Sequence, residues 1–595
     1  MRKIYDAVII GSGAAAYSAA DWLFKENITD IAVITENRLW GTSRNTGSDK
    51  QTYYKISMDG FSQDSPYKMA EDLFSGGSTD GVKALVQSAN SARCFMRLYE
   101  YGVNFPRDNF GGFPGYKTDH DNTCRATSVG PLTSKIMTEK LEEKVLFSNK
   151  TPLLDNRQVV KIITENNKAC GVVVLNKETD AFEIIEAENV IAATGAPACI
   201  YEHSVYPESQ HGMTGVLLDA GVNLCNFSQW QYGMSSTDFR WNVSGSFMQV
   251  IPRFVSIDEA GNEYEFLAEN LGDKANDFVF LKGYQWPFSF DRMNASSQVD
   301  IAVNEEIKQG RNVYLDYTKN PENYCFENLF EEAKEYLTKT DSVAPTPIER
   351  LEKLNPKAID VYLRQGIDLH KDKLKIAVCA QHNNGGVYTD MYYESYVVEN
   401  LYVIGEAAGS FGLVRPGGSA LNDTQVGGLM CAKHIKNKKS EKTPCVKAEK
   451  IADCFRKISD DFQVDETVDY SFVKKQMSNF AAFSRDKEEC EKLLSAIRKI
   501  LENYPTKHKD ISSYFYDKDM LLSAEALLVA IIEEMPVTGS RGGAFFKENG
   551  KVKAENIEMR KDLTISDNTG IYFQRVNQIP VFDEPFEKYL KLQSE

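Results

Sequence analysis

Residues Ile4–Ala16, IYDAVIIGSGAAA, set a strand, a glycine turn and a helix start in immediate succession. Ala7 to Ile10 form an apolar, mostly β-branched run that reads as a strand buried on both faces. Gly11, Gly13 and Ala16 follow it in the order GxGxxA. Gly11 permits a tight turn, Gly13 lets the backbone approach a phosphate with no Cβ in the way, and Ala16 lets the helix lie close to the strand. The amides of Ala14 and Ala15 then belong to a helix end that attracts an anion. A second strand, Asp30 to Thr35, ends at Glu36, about 20 residues past the last glycine, where a carboxylate accepts hydrogen bonds from an adenosine ribose. The stretch predicts a dinucleotide-binding α/β unit.

At 595 residues the chain is too long for a single core and predicts roughly three to four units. Lys and Arg number 68 against 85 Asp and Glu, a net charge of -17, and the KNKKSEK stretch near Lys436 is the longest basic tract. No nucleic-acid partner is expected from that balance. The first strand begins after Met1, Arg2 and Lys3, and no apolar run approaches 18 residues, so neither a signal peptide nor a membrane span is expected and the location reads as cytoplasmic. Eleven cysteines stand singly without a CxxC pair, and the seven histidines show no HExxH spacing. Reduced thiols are expected, with no disulfide framework, iron–sulfur centre or catalytic metal.

Residues 1–235 read as the first part of the cofactor domain. Within them, Gly41 to Lys55 form an irregular loop of small polar residues suited to lie against a flat ring. Strands Val159–Thr164, Ala169–Asn176 and Ala181–Glu186 form a meander, and Glu188–Pro197 is a buried strand ending in the turn Ala193, Thr194, Gly195. Residues 236–364 lose regular buried strands and read as an inserted cap with a helix around Ser297–Gln309. Residues 365–440 return to the cofactor domain: LYVIGEAAG is a strand with Glu406 in the following turn, and RPGGSALND opens a helix. Residues 441–595 carry amphipathic helices at Val473–Phe480, Lys487–Asn503 and from Leu521 onward, a C-terminal helical domain. The predicted fold class is α/β, a Rossmann-like domain in two parts with an inserted α+β cap.

In order and spacing, GSGAAA, the ATG turn, HNNGG, GEAAG, RPGGSALND and the SRGG at Ser540 to Gly543 resemble the flavoprotein subunits of the succinate dehydrogenase and fumarate reductase superfamily. That superfamily includes L-aspartate oxidase and the flavin subunit of adenylylsulfate reductase. The resemblance spans nearly the whole chain and implies FAD as cofactor. It implies contacts from Gly11, Gly13, Ala14, Ala15 and Glu36, from Thr42, Ser43, Thr46, Gly47 and Ser48 in the loop, and from Val159, Ala193, Thr194, Gly195 and Glu406. Ser419, Ala420 and Leu421 would turn a helix N-terminus toward the flavin's pyrimidine oxygen and stabilise the anionic reduced flavin. Membrane-bound members attach FAD through a histidine after the second strand. Gly41 to Lys55 holds no histidine, so non-covalent FAD is expected.

The proton-donor arginine of fumarate reductases falls near Ser296, and the histidine of their QFHPT motif falls near Gln231. Two of four dicarboxylate-site groups are therefore missing, while His382 in HNNGG and Arg415 in RPGG are kept. Arg415 offers a bidentate fork and His382 a further donor, a pair that anchors and polarises a carboxylate or enone oxygen. The proton must come from elsewhere, with Arg292, Tyr232 and Tyr388 as candidates. The histidines at 120, 203, 211, 370, 434 and 508 read as structural or solvated. The expected function is an FAD-dependent oxidoreductase that reduces an activated C=C bond, or runs the reverse dehydrogenation, on a small organic substrate other than fumarate or succinate. One alternative is an oxidase of a C–N bond similar to L-aspartate oxidase; another is a flavin-carrying electron-transfer subunit whose partner holds the clusters. A single nucleotide turn leaves no second NAD(P)H site in view, so electrons are expected from a partner protein or a small reductant. The sequence leaves the oligomeric state open.

Overall fold

Ala7–Ile10 is fully buried at the centre of five parallel strands, in the order Leu401–Val403, Val190–Ala192, Ala7–Ile10, Ile31–Ile34 and Leu153–Leu154. The computed structural model describes residues 3–59, 62–438, 442–567, 570–581 and 583–592. Residues 439–441 of the basic KNKKSEK tract lie outside the described residues. The central strand is apolar along its whole length because it is buried throughout, in one apolar cluster with residues of the helix Ala14–Lys25 and of the meander; each Val or Ile buried there contributes about 1.5–3 kcal/mol.

Two helices run side by side under this sheet, Ala14–Lys25 and Ser419–Lys438. Ser18 Oγ donates to the Gln425 carbonyl at 3.2 Å, and a Cβ on Gly428 would stand 2.7 Å from the Ala19 nitrogen. That close approach draws the second glycine-rich segment back onto the first. The predicted meander is present as Arg157–Glu165, Lys168–Asn176 and Ala181–Ala187, and Ile4–Tyr5 joins its edge in parallel.

The inserted region departs from expectation. Arg253–Ile257 and Asn312–Asp316 are strands with buried centres, and they join Leu374–Asn383 and Trp230–Ser236 in a six-stranded sheet. These strands are only five residues long, and the partner that buries them follows far later in the chain, so their local pattern is weak. The expected helix is Gln298–Lys308.

The C-terminal helices are Ser471–Phe480, Lys487–Glu502 and the 28-residue Ile511–Thr538. The last starts ahead of the predicted Leu521 because the Asp510 carboxylate caps it, accepting from the Ser513 amide at 2.7 Å. Strands accompany the helices here: Asp562–Asp567 and Gly570–Arg575 form a hairpin that pairs with Leu224–Cys225. One apolar cluster runs from Ala7 through the cap to Phe546. Among the described residues no helix is long and apolar enough to cross a membrane.

Candidate active site and cofactor cradle

The glycine turn, the cap and the helix Ile511–Thr538 enclose a cavity of about 800 Å³, within the range of about 300–1,000 Å³ usual for ligand pockets. Gly11 sits at φ +115°, and a Cβ there would lie 2.5 Å from the Ala193 carbonyl oxygen; only glycine allows the turn to pack on the Val190–Ala192 strand. Gly13 caps the next helix without a side chain, and the Ala14 amide donates to Ser43 Oγ at 3.2 Å. Thr42 Oγ1 donates to Gln210 Oε1 at 2.8 Å and Gln210 Nε2 donates to the Thr194 carbonyl at 2.7 Å, tying the polar loop to the ATG turn. Thr194 Oγ1 is buried with no hydrogen-bond partner among the described residues.

Farther along, burial pushes the Glu36 carboxyl up to about 7 against the pull of Lys177, whose Nζ is 3.4 Å away. His211 stacks on Tyr516 with ring centroids 3.9 Å apart. The side-chain-free turn, the unpartnered Thr194 hydroxyl and the carboxylate with flat rings beside it fit an adenine dinucleotide.

The cap side holds His382 and Arg415, the groups expected to meet a substrate, and Glu406. Trp230–Ser236 pairs antiparallel with Leu374–Asn383, which places Gln231 opposite His382. Arg415 Nε donates to His382 Nδ1 at 3.3 Å, with Asn384 Oδ1 3.1 Å from the same nitrogen. His382 Nε2 is buried without a hydrogen-bond partner among the described residues, 3.8 Å from Glu406 Oε1. Burial, then the Arg415 charge, hold the imidazole pKa well below its usual value, so the ring is neutral. Arg415 Nη1 bonds the Pro416 carbonyl at 3.4 Å and Ser419 Oγ at 3.5 Å, while Nη2 makes no protein hydrogen bond among the described residues. Burial lowers the guanidinium pKa to about 10, leaving a cation at neutral pH. Glu406 accepts from the Asn383 amide at 2.9 Å and from the Tyr206 hydroxyl, and burial raises its carboxyl to about 7.

The structure brings most of the expected residues to this cavity. Gly11, Gly13, Ala14, Ala15, Glu36, Thr42, Ser43, Thr46, Ser48, Val159, Ala193, Thr194, Gly195, Glu406, Ala420 and Leu421 line it together with His382, Arg415 and Gln231. Gly47 and Ser419 do not. A Cβ on Gly47 would strike the Trp241 ring at 2.4 Å, so the residue packs against the cap, and Ser419 Oγ closes a turn by donating to the Pro416 carbonyl at 2.7 Å.

The candidate acids are displaced as well. Tyr232 is fully buried on the far side of the bulge after Gln231, its hydroxyl 2.8 Å from that of Tyr201. Tyr388 accepts from Gln574 Nε2 at 3.0 Å, away from the cavity. Arg292 lies behind the lining, with Nη1 buried and unpartnered among the described residues. Ser296 is buried and donates to Gln285 Oε1 at 2.7 Å.

Several lining residues escape sequence reading: Asp119, Tyr206, Gln210, His211, Tyr516 and Asp519. They come from three distant segments, at 119, 206–211 and 516–519, so no local spacing announces them; His211 is a wall residue here and not a solvated one. Outside the cavity, Glu165, Cys170 and Cys445 place their ligand atoms within 4.8 Å of one another, the two sulfurs 3.0 Å apart. The SRGG segment acts as a clasp: buried Arg541 pairs with Glu534 at 2.5 Å, and Glu534 accepts from Gln229 Nε2 at 2.7 Å, just before the strand that carries Gln231.

The family model described as FAD binding domain matches residues 6–421. An uncharacterized FAD-dependent oxidoreductase of Methanocaldococcus jannaschii is 24% identical over 572 residues, covering 92% of this chain and 94% of that one. A fumarate reductase (CoM/CoB) subunit from Methanothermobacter marburgensis is 27% identical over 439 residues, 71% of each chain. Among solved structures, a mutant FrdA of E. coli quinol fumarate reductase superposes with a TM-score of 0.73 at 18% identity, covering 98% of both chains.

Proposed function

The chain belongs to the FAD binding domain family, within the succinate dehydrogenase and fumarate reductase flavoprotein superfamily, and from that premise we propose that it reduces an activated C=C bond of a small organic acid or enone other than fumarate. The observation that carries this reading is the Arg415 guanidinium, whose Nη2 has no protein partner among the described residues, at a cavity that neutral His382 also lines. Together they grip a carboxylate or conjugated carbonyl oxygen and draw charge toward it, which makes the distal alkene carbon electrophilic. A C4 dicarboxylate would bring its second carboxylate to Gln231, an uncharged amide, while Ser296 is turned away. Phe280, Tyr284 and Trp286 line the same cavity and suit an apolar body.

FAD supplies the hydride chemistry when bound. The chain's own residues bind and orient: the Gly11–Ala15 turn holds the pyrophosphate, Glu36 the ribose, and the Arg415 fork the acceptor. Electrons reach the site from a partner protein or a small reductant. Anaerobic screening of enoates and enones against chemically reduced protein tests this, with fumarate as the control. A reduced flavin that is reoxidised in air with stoichiometric peroxide while an amino acid is consumed would instead support C–N oxidation.

A further inference from the structure

We propose that Asp119 is the proton donor of this site, taking the place of the arginine the chain lacks. The proposal rests on the reductase reading above. Asp119 and His120 form the two-residue loop of the hairpin Tyr116–Thr118 and Asp121–Thr127, in which Thr118 pairs with Asp121 and His120 takes φ 57°. The tip is pinned to the catalytic turn: the Gly417 amide donates to the Asp119 carbonyl at 3.3 Å, and a Cβ on Gly417 would stand 2.3 Å from Thr118 Oγ1. Asp119 therefore lines the same cavity as His382 and Arg415, held by the glycine two residues after Arg415.

Its hydrogen bonding separates it from its neighbours. Asp121, on the same hairpin, accepts from the Thr123 amide at 3.0 Å and from Arg125 Nη1 at 3.1 Å, and Asp64 takes Arg125 bidentately. Those carboxylates hold the fold together. Asp119 Oδ1 is inaccessible to solvent and has no hydrogen-bond partner among the described residues. A buried acceptor left open costs about 1–3 kcal/mol, a cost a structural residue does not carry without return. The charged groups facing it are Arg292, Lys282 and Arg415, with the Tyr284 hydroxyl nearby. Lys282 is already paired with Asp300 at 2.8 Å. Burial outweighs these cations and raises the Asp119 carboxyl to about 7, so a large fraction carries a proton at neutral pH.

The balance of the step is simple. Of the two hydrogens added across a C=C bond, one arrives as hydride and the other as a proton. As the distal carbon gains the hydride pair, the π pair collects on the carbon next to the gripped carbonyl or carboxylate. That carbon takes the proton from the Asp119 carboxyl, and the O–H bond pair stays on the carboxylate. Arg292 and Lys282 stabilise this anion until water returns a proton. Arg292 is thus a positioning charge behind the acid.

The test uses the flavin-loaded protein and an Asp119→Asn variant. The expected result is unchanged FAD content, unchanged binding of a saturated monocarboxylate below neutral pH, where Asp119 is protonated, read from the flavin spectrum, and turnover of an enoate lowered about 10²–10⁴-fold. Independently of turnover, infrared difference spectra of the two proteins should show a protonated carboxyl band that disappears as pH rises through neutrality. Should Asp119→Asn fail to load FAD, Asp119→Glu should move that band and keep part of the turnover. A wild type active on enoates with an equally active Asp119→Asn, or without the titrating band, overturns the acid role and leaves the reductase reading standing. A wild type inactive on every enoate and enone overturns that reading and the acid role with it.

Discussion

Arg415 Nε and His382 Nδ1 meet at 3.3 Å, so the guanidinium, with Asn384 Oδ1 3.1 Å from the same nitrogen, fixes the orientation of the imidazole, whose Nε2 lacks a protein partner among the described residues. A side chain read from sequence as an anchor is thus also the device that aims its neighbour. Replacing Arg415 by Ala removes a preorganised donor and frees one side of the imidazole. Turnover should fall by about 3 kcal/mol in barrier, roughly 10²-fold, with the flavin spectrum intact. Arg415→Lys should recover part of this, since an ammonium cannot reproduce the fork. Steady-state kinetics beside a visible spectrum decides it, and an active Arg415→Ala would remove the residue from the site.

The two turn glycines should respond differently. Gly11→Ala forces a Cβ to within 2.5 Å of the Ala193 carbonyl at a positive φ and should lower folding yield and thermal stability. Gly13 meets only Ser43, with Oγ at 3.2 Å, so Gly13→Val should fold yet bind little FAD. Flavin content per folded protein is the readout; a fully yellow Gly13→Val would misplace the phosphate turn.

FAD should be released when the protein is precipitated with acid or heat, because Gly41 to Lys55 offers no histidine for a covalent bond. The supernatant should carry all of the flavin absorbance and the pellet none.

Binding of an unreactive monocarboxylate should weaken as pH rises through about 7. Asp119 and Glu406 are both raised to about 7, so both are mostly neutral below that pH and anionic above it. The ligand is anionic throughout, and each new negative charge beside Arg415 repels it. The Kd should therefore climb above neutrality, and Asp119→Asn should flatten part of the rise. A Kd constant from acid to alkaline pH contradicts the assignment.

Arg541→Ala should cost about 3–5 kcal/mol in stability, because Glu534 would remain buried without its cation. Chemical denaturation measures this directly. Since Glu534 also holds Gln229, two residues before Gln231, activity should fall along with stability.

The sequence alone determined the features that depend on local backbone geometry. Strand, glycine turn and helix lie within 13 consecutive residues from Ile4 to Ala16, where period, size and φ requirements are all local, and the same holds for the meander, the ATG turn and the helix opened by RPGGSALND. It also carried His382 and Arg415, because each sits in a glycine-flanked motif whose backbone demands are local. Tertiary structure decided everything that needs two distant segments to meet. The cap strands Arg253–Ile257 and Asn312–Asp316 are defined by pairing to Leu374–Asn383 and each other, and Tyr516 reaches the dinucleotide end only because the last long helix folds back across the chain. Asp119 is the sharpest case. Its residue type and loop announce no role; burial raises its pKa and the Gly417 amide holds its carbonyl, and both effects come from segments distant in the chain, Gly417 almost 300 residues away.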